Sequence, residues 1–172
     1  LTTFYRKNPK ENMFEIVAAD LSKSTHASAL VELLNIYALD PMGGGKELSS
    51  YVKENLAITL ADRSDVSVIF AVKNDRPVGM LICIEGFSTF SCQPLLNIHD
   101  AIVKPEYRGQ GISRMMFEKA EQIAVETGCC KLTLEVLSGN KAARSAYANF
   151  GFEGFQLDPN MGAAIFLQKK LQ

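Results

Sequence analysis

The sequence predicts an α/β domain (α+β mixed), with about seven short strands in one mixed sheet and about four helices packed around it. Three observations predict it. Segments with strand character alternate along the chain with segments whose apolar residues recur at helical spacing. The 172 residues are long enough to bury one real core, and they contain no internal repeat, low-complexity tract or linker. Finally, one strand-like segment runs directly into an amphipathic one through the turn Val103-Lys104-Pro105-Glu106-Tyr107-Arg108-Gly109-Gln110-Gly111-Ile112-Ser113. A single domain over 1–172 is expected, with its core at about 13–171.

Each element has a local reason. Residues 13–20 (Phe-Glu-Ile-Val-Ala-Ala at their centre) read as a first strand. Residues 25–39 place Ala29, Leu30, Leu33, Leu34, Ile36 and Tyr37 at helical spacing, with Ser24 or Thr25 as caps. Asp40-Pro41-Met42-Gly43-Gly44-Gly45 breaks that helix. A second helix over 49–60 buries Tyr51, Val52, Leu56 and Leu60. Residues 66–73 and 78–85 form a hairpin about the Asn74-Asp75-Arg76-Pro77 turn. An irregular connector (87–94) leads to a strand at 95–103 and into the glycine turn. The helix that follows sets Ile112, Met115, Met116, Ala120, Ile123 and Ala124 on one side and ends near Gly128. A strand at 131–137, a helix at 140–150 closed by Gly151, and two last strands at 152–156 and 163–171 complete the set.

Composition narrows the function. Apolar residues make up 47% and charged residues 22%, an ordinary globular balance. The net charge of -1 provides no basic footprint, so no nucleic-acid partner is expected. No apolar run is long enough to span a bilayer, and the polar stretch 1–12 shows no signal-peptide pattern, so no membrane partner is expected. That stretch lacks an initiating Met, which leaves room for residues ahead of Leu1. The four cysteines, Cys83, Cys92, Cys129 and Cys130, form no Cys-x-x-Cys pair, and His26 and His99 are the only histidines. No metal site is expected, and the thiols read as reduced and mostly buried in a cytoplasmic protein.

The glycine turn carries the chemistry. The first turn of a helix offers about four backbone N–H groups without intrahelical acceptors, and the dipole adds roughly half a positive charge there. Glycine lets a bulky anion approach that backbone. The expected ligand is a phosphate or pyrophosphate; the plain alternative is an ordinary tight turn. A dinucleotide-binding fold fails as an explanation, because position 114 is arginine where a third glycine is wanted, and the turn lies late in the chain.

Arg108-Gly109-Gln110-Gly111-Ile112-Ser113 resembles the acyl-CoA signature Arg/Gln-x-x-Gly-x-Gly/Ala of the GNAT N-acetyltransferase superfamily, with Ser113 a mild departure at the last small position. A second block, from Asn140 through Ala143 and Tyr147 to Gly151-Phe152, looks like the family's Asn-x-x-Ala-x-x-x-Tyr followed by Gly-Phe. The order of elements matches the family over nearly the whole chain, and two motifs in register are far more specific than one glycine turn. The resemblance implies a mostly antiparallel twisted sheet whose strands splay at a cofactor cleft. It also implies acetyl-CoA as co-substrate.

On that resemblance, the backbone of Arg108, Gly109, Gln110, Gly111, Ile112 and Ser113 surrounds the coenzyme A pyrophosphate. The splayed strand Ala101-Ile102-Val103 bonds the pantetheine amides as an added strand would; a plain buried strand explains the same residues equally well. Asn140 and Ala143 belong to the cofactor site, although Asn140 also reads as a simple N-cap. Tyr147 is the general acid that protonates the departing thiolate, or else a core tyrosine beside Ala143 and Phe150. His99, with an ordinary pKa near 6.5, suits proton removal from a protonated amine, and Asp100 suits holding the ammonium or a water. In an ideal strand these two face opposite ways, so one of them faces the cleft; a structural histidine bonded to backbone is the alternative. Glu85 and Glu135 are back-up bases. The same family implies that the region between the first two helices walls the acceptor site, with Lys46, Glu47 and Tyr51 as contacts.

The function implied is N-acetyl transfer from acetyl-CoA to a primary amine of a small molecule or peptide, by direct attack in a ternary complex. A homodimer enters by family habit alone. The rival is a non-catalytic acyl-CoA-binding or sensor module of the same fold, which needs no proton donor at Tyr147.

Overall fold

The computed structural model describes residues 13–155, 158, 160 and 162–171. Among these, five strands form one sheet in the order β1 (Glu15–Ala18), β2 (Val66–Lys73), β3 (Arg76–Ser88), β4 (Gln93–Val103) and β5 (Leu132–Leu134). The first three pairings are antiparallel and β4–β5 is parallel, so the sheet is mixed and mostly antiparallel. Four helices accompany it: α1 (Ser24–Leu39), α2 (Ser50–Ala61), α3 (Ile112–Glu126) and α4 (Lys141–Phe150).

The class stands, but the strand count falls from about seven to five. Of the expected strand at 152–156, Gln156 lies outside the described residues, and positions 152–155 carry no strand pairing. The apolar run near 163–171 gives a strand signal, yet its described residues join no ladder, and Ile165, Phe166 and Leu167 are 78%, 77% and 80% exposed. A strand exists only with a partner. Here β5 is three residues long, where residues 131–137 were expected.

Sheet alternation sorts the core into two layers. Ile69, Ala71, Leu81 and Cys83 point to one face, where α3 covers them with Ile112, Met116, Phe117 and Ala120. Val68, Phe70, Met80 and Ile82 point to the other face, beneath Leu30 and Leu33 of α1 and Ala57 of α2. On α2 the buried line runs through Val52, Leu56, Ala57 and Leu60, while Tyr51 is 74% exposed. Tyr51 sits one residue, or about 100°, away from that line. The cap of α1 also differs from expectation: Lys23 holds the position, with no side-chain bond. The β2–β3 turn is tight, with Asn74 and Asp75 both at positive φ, the twist that a two-residue hairpin needs. The expected connector after Phe87 is instead a continuation of the β3–β4 hairpin, pairing Phe87 with Pro94 and Ser88 with Gln93.

One irregularity positions the site. Asp100 pairs with Ile82 but Ile98 pairs with Cys83, so His99 is an extra residue in β4. The bulge reverses the alternation. Leu96 and Ile98 belong to the α3 layer, whereas Ile102, which an ideal strand would place with them, belongs to the α1 layer. Beyond the bulge β4 also loses its outer neighbour, because β5 pairs only with Leu96, Asn97 and Ile98. Among the described residues, the edge of β4 at residues 99–103 is therefore open.

Among the described residues no helix is long and apolar enough to cross a membrane. All four cysteines are free, but Cys92 and Cys130 are exposed, which corrects the expectation of mostly buried thiols. Buried Cys83 has its thiol pKa pushed up to about 12 by desolvation, which keeps it protonated and unreactive.

Candidate active site

The glycine turn is built as its residues require. Lys104-Pro105-Glu106-Tyr107 closes a short 3-10 turn, and Tyr107 packs edge-on against Phe14 of the neighbouring β1 end, with ring centroids 6.3 Å apart. Gly109 and Gly111 both take left-handed backbone, at φ 76° and 78°, where a side chain costs roughly 1–2 kcal/mol. Gly111 is the N-cap of α3 and supplies no side-chain cap bond. The Arg108 N–H donates to the Pro105 carbonyl at 3.2 Å. Among the described residues nothing accepts from the N–H groups of residues 109–113. A row of free donors at a helix N-terminus, on glycines that leave the backbone bare, fits a pyrophosphate. The free row begins at Gly109; Arg108 contributes its side chain instead.

That side chain links two regions. Its Nε donates to the Val103 carbonyl at 3.0 Å, and its Nη2 pairs with Asp40 Oδ2 at 3.2 Å. Asp40 caps the 3-10 turn Pro41–Gly43, accepting from the Met42 N–H at 2.9 Å. That hydrogen bond holds the Asp40 carboxyl below the usual range; burial opposes it, and Arg108 adds to the lowering.

Beside the turn lies a cavity of about 230 Å³. Its wall includes Ala101, Ile102 and Val103 of the open β4 edge, with Arg108 and Ser113 at the turn and Asn140, Ala143 and Tyr147 from the second motif. The two motifs, distant in sequence, thus meet across one space. Tyr147 is held by an aromatic cluster, its ring 5.6 Å from that of Phe117 and 6.0 Å from that of Phe152. Burial, then the neighbouring Tyr37, raises its phenol pKa, so it is a neutral proton donor at physiological pH. Asn140 has the dual character expected of it: it lines the cavity, and its Oδ1 caps α4 through the Ala143 N–H at 3.1 Å.

Other expected residues fall elsewhere. Ile112 is 2% exposed and packs in the core, so only its backbone faces the turn. Gly109, Gln110 and Gly111 are exposed at the turn and do not line the cavity. His99 is exposed on the bulge and also lies off the cavity wall. Asp100 is half-buried and likewise lies off the cavity wall; burial raises its pKa while His99 opposes the rise. Glu135 is engaged by the Asn97 amide at 3.3 Å, and Glu47 by Lys53 at 2.7 Å. Lys46, Glu47 and Tyr51 lie off the cavity wall. Sequence reasoning missed Tyr37, Asp40, Met42, Met116 and Phe117 as lining residues. Helical spacing had assigned Tyr37 and Met116 to the core, and no linear motif marks a residue that reaches a cleft from across the sheet.

A bulged strand, an open edge and a glycine-built helix start meet beside one cavity. The profile of the acetyltransferase (GNAT) family matches residues 30–152, and the chain belongs to that family. Its sequence is 44% identical over 75 residues to thialysine N-epsilon-acetyltransferase of Bos taurus, an alignment covering 40% of this chain and 44% of that protein, less than half of either. The namesake enzyme of Caenorhabditis elegans is 27% identical over 134 residues, covering 78% of this chain and 79% of that one. A crystal structure of a probable acetyltransferase superposes with a TM-score of 0.76 at 22% identity, over 92% of this chain and 99% of the other, a likeness of fold.

Proposed function

We propose that this protein transfers an acetyl group from acetyl-CoA to a primary amine of a small molecule or peptide, by direct attack within a ternary complex. The observation that carries the reading is a single cavity that brings Ser113, at the end of the free N–H row, together with Tyr147 and the Ala101, Ile102 and Val103 edge of β4. When bound, acetyl-CoA supplies an activated thioester. Everything else falls to the chain.

The backbone N–H groups of residues 109–113 hold the diphosphate, with the α3 dipole behind them. The unpaired edge at Ala101, Ile102 and Val103 offers N–H and C=O groups to an extended amide chain, as a sheet edge does to an added strand. Tyr147 stands on the α4 side with its phenolic proton in place, ready to neutralise a thiolate. Of the two expected bases, both off the cavity wall, the role is assigned to Asp100, which burial makes more basic and which the bulge turns to the α1 face, while His99 is exposed. The names of the relatives place small amines such as thialysine first among acceptors to test.

The test is release of free thiol from acetyl-CoA across a panel of thialysine, polyamines, amino acids, aminoglycosides and peptides. Amine-dependent release with at least one of them is the expected result. Coenzyme A binding without release from any member would instead identify a binding module.

A further inference from the structure

A second cavity lies well away from the glycine turn. Its volume is about 320 Å³, against about 230 Å³ beside Tyr147, and the two share no lining residue. It sits where β1 and α2 end and β2 begins, with Ile123 from the last turn of α3 on its wall. Val66 on that wall is level with Ile84 of β3, whereas Val103 at the first cavity is level with Gly79. Five residues of strand, about 17 Å, separate the two levels. The volume falls within the range of ordinary ligand pockets, about 300–1,000 Å³.

The sheet leaves a gap there. The Ala19 N–H donates to the Val68 carbonyl at 2.8 Å, but among the described residues β1 has none in register with Val66 or Ser67. The Glu85 N–H donates to the Asp65 carbonyl at 2.7 Å, which turns Asp65 and Ser67 toward β3. By alternation Val66 turns its N–H and C=O the other way, to the side that β1 has left. The chain departs from that side in a pinned loop. The Asp20 N–H donates to His26 Nδ1 at 2.9 Å, and Asp20 Oδ1 accepts from the Ser22 N–H at 3.1 Å and from its hydroxyl at 2.5 Å.

Two opposite charges, Asp20 and Arg63, line this cavity, and both keep bonding capacity. Hydrogen bonds from Ser22 lower the Asp20 pKa, so the carboxylate is ionised at neutral pH. Among the described residues its Oδ2 has Lys23 alone, at 3.6 Å, beyond hydrogen-bond reach. Arg63 meets Asp65 through Nη2, which leaves most of its five N–H donors for another acceptor. Much of the remaining wall is aliphatic, with Leu60, Val66, Val68 and Ile123.

We propose that this cavity is a second ligand site, which takes a small zwitterion of the amino-acid class with its carboxylate on Arg63 and its ammonium on Asp20. A guanidinium fork matches a carboxylate in two parallel bonds, and an ammonium brings three donors to a carboxylate. The outward N–H and C=O of Val66 and the aliphatic wall suit the polar and carbon parts that remain. A simple anion would meet the Asp20 charge, and a simple cation that of Arg63, so a ligand bearing both signs fits best. The site stands apart from the acyl-CoA cavity, and the proposal does not rest on the acetyl-transfer reading.

The probes are L-norleucine and 6-aminohexanoate, isomers that carry the same two charges at short and long separation. Hexanoate and n-pentylamine are their shared counterparts with one charge each. All four are titrated at neutral pH into the protein saturated with coenzyme A, and binding is read from backbone amide NMR shifts. At least one isomer is expected to bind in the millimolar range, about tenfold or more tighter than either counterpart, with shifts at Leu21, Ser22, Arg63, Val66 and Ser67. Arg63→Gln, and Asp20→Asn, which keeps an acceptor for Ser22, are each expected to weaken that binding about tenfold to a hundredfold, as loss of a charge-assisted bond implies. Coenzyme A affinity is expected to stay within about twofold in both. Failure of both isomers to bind below about 10 mM overturns the proposal. So does equal binding of hexanoate or pentylamine, shifts confined to the Tyr147 cavity, or unchanged affinity in Arg63→Gln. The comparison of ligands is made on the wild type, so it decides even where a variant fails to fold. Absence of thiol release with every amine removes the transferase reading alone, and absence of zwitterion binding removes this proposal alone.

Discussion

Two glycines bracket α3, and together they separate strain from ligand binding. Gly111, at φ 78°, begins the helix, and Gly128, at φ 72°, follows its end. At Gly128 the chain closes in a Schellman motif, with its own N–H on the Val125 carbonyl and the Cys129 N–H on that of Ala124. A Cβ at either glycine meets nothing within 4 Å, so Gly111→Ala and Gly128→Ala both suffer conformational strain without a clash. Each costs about 1–2 kcal/mol. For a chain of this size 1 kcal/mol lowers Tm by roughly 2–4 °C, so each variant is expected to melt about 2–8 °C lower. Their coenzyme A affinities are expected to diverge. Gly111 lies in the free donor row, where losing one charge-assisted bond costs about 1.5–3 kcal/mol, or roughly tenfold to a hundredfold in Kd. Gly128 lies at the far end of the helix and is expected to leave Kd within about twofold. Scanning calorimetry and isothermal titration below both melting points supply the readings. If both variants melt lower but bind coenzyme A equally well, the turn is an ordinary one and the cradle argument fails.

Three further outcomes are expected. Tyr147→Phe removes a proton donor and little volume, so kcat falls about 10²–10⁴-fold while coenzyme A affinity holds; equal loss of both in steady-state kinetics and titration would remove its assigned role. Asp40→Ala deletes a cap and the Arg108 ion pair, costing about 0.5–2 kcal/mol in urea denaturation. Because the folded pKa of Asp40 is depressed, its contribution is present above the ordinary carboxylate pKa near 4 and lost as pH falls through the folded value, so the gap between wild type and variant narrows in acid. Asp100 has the opposite sign: burial raises its folded pKa, so ionisation costs stability as pH rises through that value. Asp100→Asn is therefore expected to melt higher than wild type at neutral pH without ligand, with the difference vanishing in acid and turnover reduced; a lower Tm at neutral pH would show that the carboxylate is already compensated.

The cradle was legible because its requirements are local. Two glycines at left-handed φ, a strand before and a helix after are all written in consecutive residues, and so is the Asn140 cap followed by Tyr147 one helical face on. The bulge was not. Period-two reading of 95–103 puts Ile98, Asp100 and Ile102 on one face, and nothing in those residue types announces an extra member at His99. The choice between His99 and Asp100 as the cleft residue was therefore open on the sequence and depends on a register that only pairing with β3 fixes. The last strands failed for a related reason. Apolar alternation near 163–171 states a willingness to pair, but pairing is a property of two segments, and β5 offers only three residues.

Tyr37 shows the same division from the other side. Its helical spacing is that of a core residue, and Tyr37 does pack, partly buried, against the layer that holds Leu33, Phe70 and Ile102. What gives it a second use is the chain after it. Asp40 stops α1, Gly43 lets the backbone fold onto the tyrosine, and Arg108 ties that turn to the glycine cradle. The region that would meet an acceptor and the region that would hold the cofactor are thus joined by one exposed ion pair, which a diphosphate beside Arg108 would compete for. Ligand at the cradle then loosens or retunes Asp40, and with it the turn over Tyr37. On this argument cofactor affinity and acceptor affinity are linked by a coupling that must be reciprocal, and Asp40→Asn must abolish it in both directions.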